Sequence, residues 1–208
     1  MKKASLLSIS IVSIIFLSFS FSQFSCTQSA QEKTDSLSAP KQMSQSEMIA
    51  RGKYLVLSVG CEDCHCPKIM TPQGPFPDTT KFLSGHPAGR KLPAIDKNTL
   101  KPGNWYLLSD DLTAAVGPWG ISFAANLTPD SATGIGTWTE DVFIKTLRTG
   151  KHLGQDGGRQ ILPPMPWQDF RNFNDEDLKA IFAFLKALPP IVNKVPSPVI
   201  PPDVLKMN

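Results

Sequence analysis

Apolar side chains recur every three to four positions in three segments of the chain, and each predicts an amphipathic helix. The first segment follows Ser44 and Glu47, which have the spacing of a capping box. It runs through Met48, Ile49, Leu55, Val56 and Val59 to a stop at Gly60. Gly52 inside it costs about 1 kcal/mol relative to Ala, which points to another element passing close by. The second segment opens on Thr139, Glu140 and Asp141, carries Val142, Phe143, Ile144 and Leu147, and stops at Gly150. Asn174 caps the third; Asp175, Glu176 and Asp177 face the positive end of its dipole. Leu178, Ile181, Phe182 and Leu185 form its apolar face, and Pro189 and Pro190 end it.

Between the first and second segments the helical pattern is lost. Residues 67–136 hold nine prolines and eight glycines, which predicts a long irregular excursion. Trp105, Tyr106, Trp119 and Phe123 are available to anchor it. The last residues, 198–208, are expected to run extended along the surface. The fold class is therefore mostly α, with no internal repeat.

The N-terminus reads as an address. Lys2 and Lys3 precede an apolar run from Leu6 to Phe21, as in a secretory signal. The run meets Ser25-Cys26 and then a polar stretch to Gln45. A small residue before a cysteine at this place resembles a bacterial lipoprotein site, with Cys26 as the lipidated first residue, although Gln23 and Phe24 depart from its usual pattern. An uncleaved anchor, or cleavage that discards Cys26, are the other readings, and all three export the chain. The expected organisation is a signal over 1–25, a flexible tether over 26–45, one domain over 46–197 and the tail. Export places it on the periplasmic side or in the cell envelope, held at the membrane through Cys26.

Charge excludes one class of partner. The 21 basic and 18 acidic residues fall to 19 and 18 once Lys2 and Lys3 are removed, and no basic cluster suggests nucleic acid. Hydrophobic residues at 41% and charged residues at 19% are those of a globular chain.

The sharpest chemistry lies in Cys61-Glu62-Asp63-Cys64-His65. Two thiols at i and i+3 on one helical turn can each add to a haem vinyl group, and the histidine that follows supplies an axial nitrogen. A thioredoxin-like pair belongs after a strand, whereas here a helix precedes it. A zinc site using Cys61, Cys64 and Cys66 lacks a second closely spaced pair. A disulfide between Cys61 and Cys64 leaves His65 unexplained. One such motif means one covalent haem c.

The second axial position has several candidates. Met165, in Pro163-Pro164-Met165-Pro166-Trp167, is a thioether in a loop stiffened by three prolines, with Trp167 placed to shield the ring. As a lone methionine it would be read as gap-filling core. His86 and His152 are alternatives; Met70 lies too near His65, Met48 belongs to the first helix, and Met43 and Met207 fall in linker and tail.

Taken in order, these residues resemble the bacterial single-haem class I cytochrome c family and the haem domains of dehydrogenase-linked cytochrome subunits. The resemblance rests on Arg51-Gly52-Lys53-Tyr54-Leu55, the attachment motif, Ala125-Asn126-Leu127-Thr128-Pro129-Asp130 and Thr133-Gly134-Ile135-Gly136-Thr137-Trp138. Leu147-Arg148-Thr149-Gly150, Pro164-Met165-Pro166 and Asp175-Glu176-Asp177-Leu178 complete it. It implies a cytochrome c-like domain with the first and last helices crossing at Gly52, where Phe182 or Leu185 approaches. It also implies His65 and Met165 as axial ligands, and electron exchange with a dehydrogenase, an oxidase or another cytochrome, as a carrier and not an enzyme. The long excursion and Cys66 depart from the pattern. If Met165 only packs, the competing reading is a haem enzyme or gas sensor with an open sixth position.

Overall fold

The computed structural model describes residues 43–207; the expected signal segment, Cys26 and nearly all of the tether lie outside the described residues. Helix α1 (Gln45–Ser58) leads through Gly60, in the left-handed conformation, into the short α2 (Cys61–His65). Strands β1 (Lys68–Thr71) and β2 (Gly74–Pro77) form a hairpin. Strands β3 (Leu107–Leu108), β4 (Ala114–Gly117) and β5 (Gly120–Phe123) form an antiparallel three-stranded sheet in that order. Helices α3 (Glu140–Thr149), α4 (Trp167–Phe170), α5 (Asp175–Lys186) and α6 (Pro201–Val204) follow.

Each long helix begins where a side chain satisfies its free N–H groups. At α1 the capping box is complete, with Ser44 N donating to Glu47 Oε2 at 2.7 Å and Glu47 N donating back to Ser44 Oγ. Thr139 accepts from Val142 N at α3, and Asn174 accepts from Asp177 N at α5. Gly150 then ends α3 in the left-handed conformation.

α1 and α5 cross at Gly52. A Cβ there would stand 1.9 Å from Ala180 O and 2.8 Å from Phe184 Cβ, so only glycine admits the approach. The neighbours are thus Ala180 and Phe184 and not Phe182 or Leu185, because the small Ala180 leaves the α5 backbone itself in reach. Phe182 packs against Phe143 instead, with ring centroids 5.3 Å apart. Arg51 Nε pairs with Asp177 Oδ1 at 2.8 Å across the same crossing. The main core gathers Leu55, Val56, Leu83, Ile135, Phe143, Leu147, Leu178, Ile181 and Leu185 around these helices.

The excursion over 67–136 is more ordered than its composition suggests. Its strands are two to four residues long, too short to show an alternating pattern between prolines and glycines. Pro75 and Pro77 are tolerated because a two-stranded ribbon leaves each strand a free edge. Val116, Ile121 and Val204 make a second small core with Leu92, Ile95, Leu100, Phe123 and Val199. The tail is drawn into it: Val199 bridges Ile121, and α6 buries Val204, so the expected extended tail is, over residues 198–207, folded onto this core. Of the expected aromatic anchors, Phe123 serves, and Tyr106 meets Trp119 edge-on at 4.8 Å. Trp105 does not, being 86% exposed. No helix among the described residues is long and apolar enough to cross a membrane.

Candidate cofactor site

A cavity of about 840 Å³ opens between the two cores, within the roughly 300–1,000 Å³ of small-molecule and cofactor sites. Cys61, Cys64 and His65 from α2 line it, together with Met165 and Pro163, Pro164 and Pro166 from the segment before α4. Apolar walls come from Val56, Leu127, Ile135, Trp138, Phe143, Leu147, Phe170 and Leu185.

α2 sets the two thiols one helical turn apart. Burial pushes Cys61 up to about 11, and burial followed by the nearby Asp63 charge raises Cys64, which favours the neutral thiol at both. Neither is in a disulfide. His65 is buried, and its Nδ1 lies 2.8 Å from Ala125 O. A carbonyl can only accept, so Nδ1 carries the hydrogen and Nε2 keeps a lone pair. Burial lowers the His65 pKa against the opposing effect of that hydrogen bond, which favours the neutral ring.

The wall that supplies Ala125 is itself tied down. Gly85 N donates to His65 O at 2.8 Å, and a Cβ at Gly85 would stand 2.5 Å from Ala124 O, so the 85 and 124–125 backbones touch. Gly85 also has φ +78°, a left-handed conformation that favours glycine. Asn126 Nδ2 donates to Ile191 O at 2.8 Å, while its Oδ1 accepts from Thr128 N and Thr128 Oγ1. Asn193 Nδ2 donates to Ser84 O and His86 O, at 2.7 and 2.9 Å. These amides lock the segment after α5 onto the cavity wall. Asn126 belongs to the Ala125-to-Asp130 motif, whose pattern does not show this role, and nothing in the sequence around Asn193 signals it.

The axial candidates separate by position. Met165 is partly buried against the main core and lines the cavity. Its loop is held by Ser122 Oγ donating to Pro163 O at 2.5 Å. His152 also lines the cavity; it is exposed and meets Trp138 edge-on at 6.1 Å. His86 is absent from the wall: it is fully buried, with Nδ1 2.7 Å from Thr113 Oγ1. Met70 is exposed on β1, Met43 and Met207 are exposed, and Met48 lies on α1 away from the cavity. Trp167 is not in the wall either; it packs over Gly150, and Trp138 lines the cavity instead. Cys66 points away, buried, with Sγ 3.5 Å from Asp78 O. Among the described residues no three His, Cys, Asp or Glu side chains converge as a metal cluster.

No protein-family model matches the chain. Curated proteins do. Over 149 residues (69% of this chain, 25% of the relative) it is 32% identical to the cytochrome c subunit of the quinone alcohol dehydrogenase of Gluconacetobacter polyoxogenes. Over 82 residues (38% and 16%) it is 37% identical to the corresponding subunit of Gluconobacter oxydans. The chain is related to cytochrome c subunits of dehydrogenases. A further match, 38% identical over 80 residues (38% of this chain and 6% of the relative), is a nicotinate dehydrogenase subunit of Pseudomonas putida. The chain thus spans a quarter or less of the length of these relatives. The relationship implies haem c, and the donor set fits it: two thiols, an imidazole with a free Nε2 lone pair, and a thioether line one largely apolar cavity.

One buried network supports the wall and makes it sensitive to acid. Asp111, wholly buried, accepts from Ser109 Oγ at 2.7 Å and Thr113 Oγ1 at 2.9 Å, with Arg90 Nη1 3.4 Å away. Burial alone would raise its pKa; the hydrogen bonds and Arg90 outweigh that and hold it below the usual carboxylate range. A depressed carboxylate stabilises the fold above its unfolded pKa, and the contribution is lost as pH falls through the folded value. Thr113 donates to Asp111 and therefore accepts from His86 Nδ1–H. Thr113→Val should lower stability near neutral pH by about 1–3 kcal/mol, and the deficit should shrink in acid once Asp111 is protonated. Urea unfolding at both pH values measures it; an equal deficit at both contradicts the ionic role.

Proposed function

We propose that this chain is a single-haem electron carrier, with haem c joined to Cys61 and Cys64 and held between His65 and Met165. What carries the reading is the convergence of the attachment turn and Met165, far apart in sequence, on one cavity. Haem c supplies an iron that alternates between ferric and ferrous states, so one electron moves without transfer of atoms. The residues do the rest. Ala125 O fixes the His65 ring and leaves Nε2 to bind. The proline-held loop keeps the Met165 thioether at a set depth, and a soft sulfur ligand favours the reduced state. The apolar wall keeps water out and limits rearrangement between the two states.

The donor in this reading is a dehydrogenase, as the names of the relatives suggest, and the acceptor is an oxidase or another cytochrome of the respiratory chain. The domain acts outside the cytoplasm in a cytochrome c-like fold, tethered at the membrane through lipid on Cys26. Reading it as an enzyme or sensor requires an open sixth position, for which His152 in the wall would be the available acid–base group.

Met165 decides between the two. Met165→Ala should open the sixth position, permit carbon monoxide binding in the reduced protein and lower the midpoint potential. Met165→His should lower the potential while keeping the site closed. The oxidised wild type should show the weak near-infrared sulfur–iron band. If that band is missing and Met165→Ala leaves potential and gas binding unchanged, the enzyme-or-sensor reading takes over.

Location has its own test. Wild type should partition with membranes and carry a modified mature N-terminus at Cys26, and Cys26→Ser should release a soluble haem protein. Membrane retention by Cys26→Ser, or an unmodified N-terminus elsewhere, contradicts the lipid anchor.

A further inference from the structure

α2 has five residues, so its last carbonyls have no helix to continue into. The first side chain of β1 turns back over them. Lys68 Nζ lies 2.8 Å from Glu62 O, 3.0 Å from Asp63 O and 2.6 Å from Cys66 O. Its three N–H donors are thereby matched to three backbone carbonyls. Among the described residues no carboxylate stands at ion-pair distance from it. The charge is solvated by carbonyl dipoles at the end of a short helix and not by a direct ion pair, while the carboxylates of Glu62 and Asp63 act on the same turn from farther away.

The carbonyls it holds surround the functional groups. Glu62 and Asp63 precede Cys64, and Cys66 follows His65. Pinning them fixes the turn that presents the second thiol and the imidazole. It also fixes a positive charge beside that turn, partly buried and therefore less screened than a surface lysine.

We propose that Lys68 is a positioning residue whose fixed charge raises the reduction potential of the haem bound at Cys61, Cys64 and His65. The proposal rests on the haem reading above. In the step concerned, one electron leaves the dehydrogenase partner and enters this chain, no bond forms or breaks, and the net charge at the site falls by one. A cation held beside the site stabilises the reduced form relative to the oxidised one. Removing it should shift the ratio of reduced to oxidised protein at a fixed ambient potential by roughly threefold to tenfold.

The experiment compares purified haem-loaded wild type, Lys68→Met, Lys68→Gln and Lys68→Arg by spectroelectrochemical titration. Lys68→Gln keeps a donor for the carbonyls without the charge; Lys68→Arg keeps the charge with altered donor geometry. Both uncharged variants should titrate at lower potential by that ratio, while Lys68→Arg stays within about twofold of wild type. Either of two results overturns the proposal: uncharged variants with the wild-type potential, or a Lys68→Arg shift as large as theirs. If only Lys68→Arg matures, the role is structural and the tuning proposal also falls. Wild type without any haem, visible by absorption before titration begins, would instead overturn the haem reading itself.

Discussion

The backbone carbonyl of Ala125, 2.8 Å from the buried Nδ1 of His65, is the contact on which the rest of this structure turns. It fixes the tautomer, so that the lone pair on Nε2 is available on the other side of the ring. It also joins two parts of the chain that are remote in sequence: the turn that presents the thiols and the wall that begins the Ala125-to-Asp130 segment. Much of what surrounds it serves to hold that carbonyl in place. Gly85 allows the backbones to touch, Asn126 and Asn193 tie the wall to the segment after α5, and Lys68 fastens the carbonyls at the end of α2.

Two cores share the work. The helical core around α1 and α5 carries the Cys61–His65 turn that follows α1, because Gly52 lets the two helices meet backbone to backbone. The smaller core of β4, β5 and the tail carries the opposite contribution: the Asp111–Thr113–His86 network and the Ser122 contact to the Met165 loop. The cavity lies where these two meet, so its shape depends on elements from most of the described chain.

Sequence reasoning found what is written in local pattern. The capping box at Ser44, the Asn174 cap, the helix-stopping Gly150 and the spacing of Cys61, Cys64 and His65 each follow from residues a few positions apart. Met165 was legible as a candidate because prolines flank it. What escaped was non-local or too short for periodicity: the four-residue strands, the tail returning to Ile121, and Ala180 rather than Phe182 at the crossing. Lys68 escaped as well, since a lysine opening a strand carries no signal that its ammonium will fold back onto three carbonyls. The placement of His86 away from the cavity, and of Trp138 rather than Trp167 in its wall, likewise depends on long-range packing.

Covalent attachment is the claim from which the electron-carrier role follows. The most direct measurement is the intact mass of the mature protein, denatured and extracted with acidified organic solvent after expression with a cytochrome c maturation system. Haem joined through Cys61 and Cys64 should survive that treatment and add the mass of one haem to the polypeptide, and Cys61→Ser with Cys64→Ser should abolish the addition. A bare polypeptide mass, with all pigment in the organic phase, would contradict covalent attachment and with it the reading of this chain as a single-haem carrier.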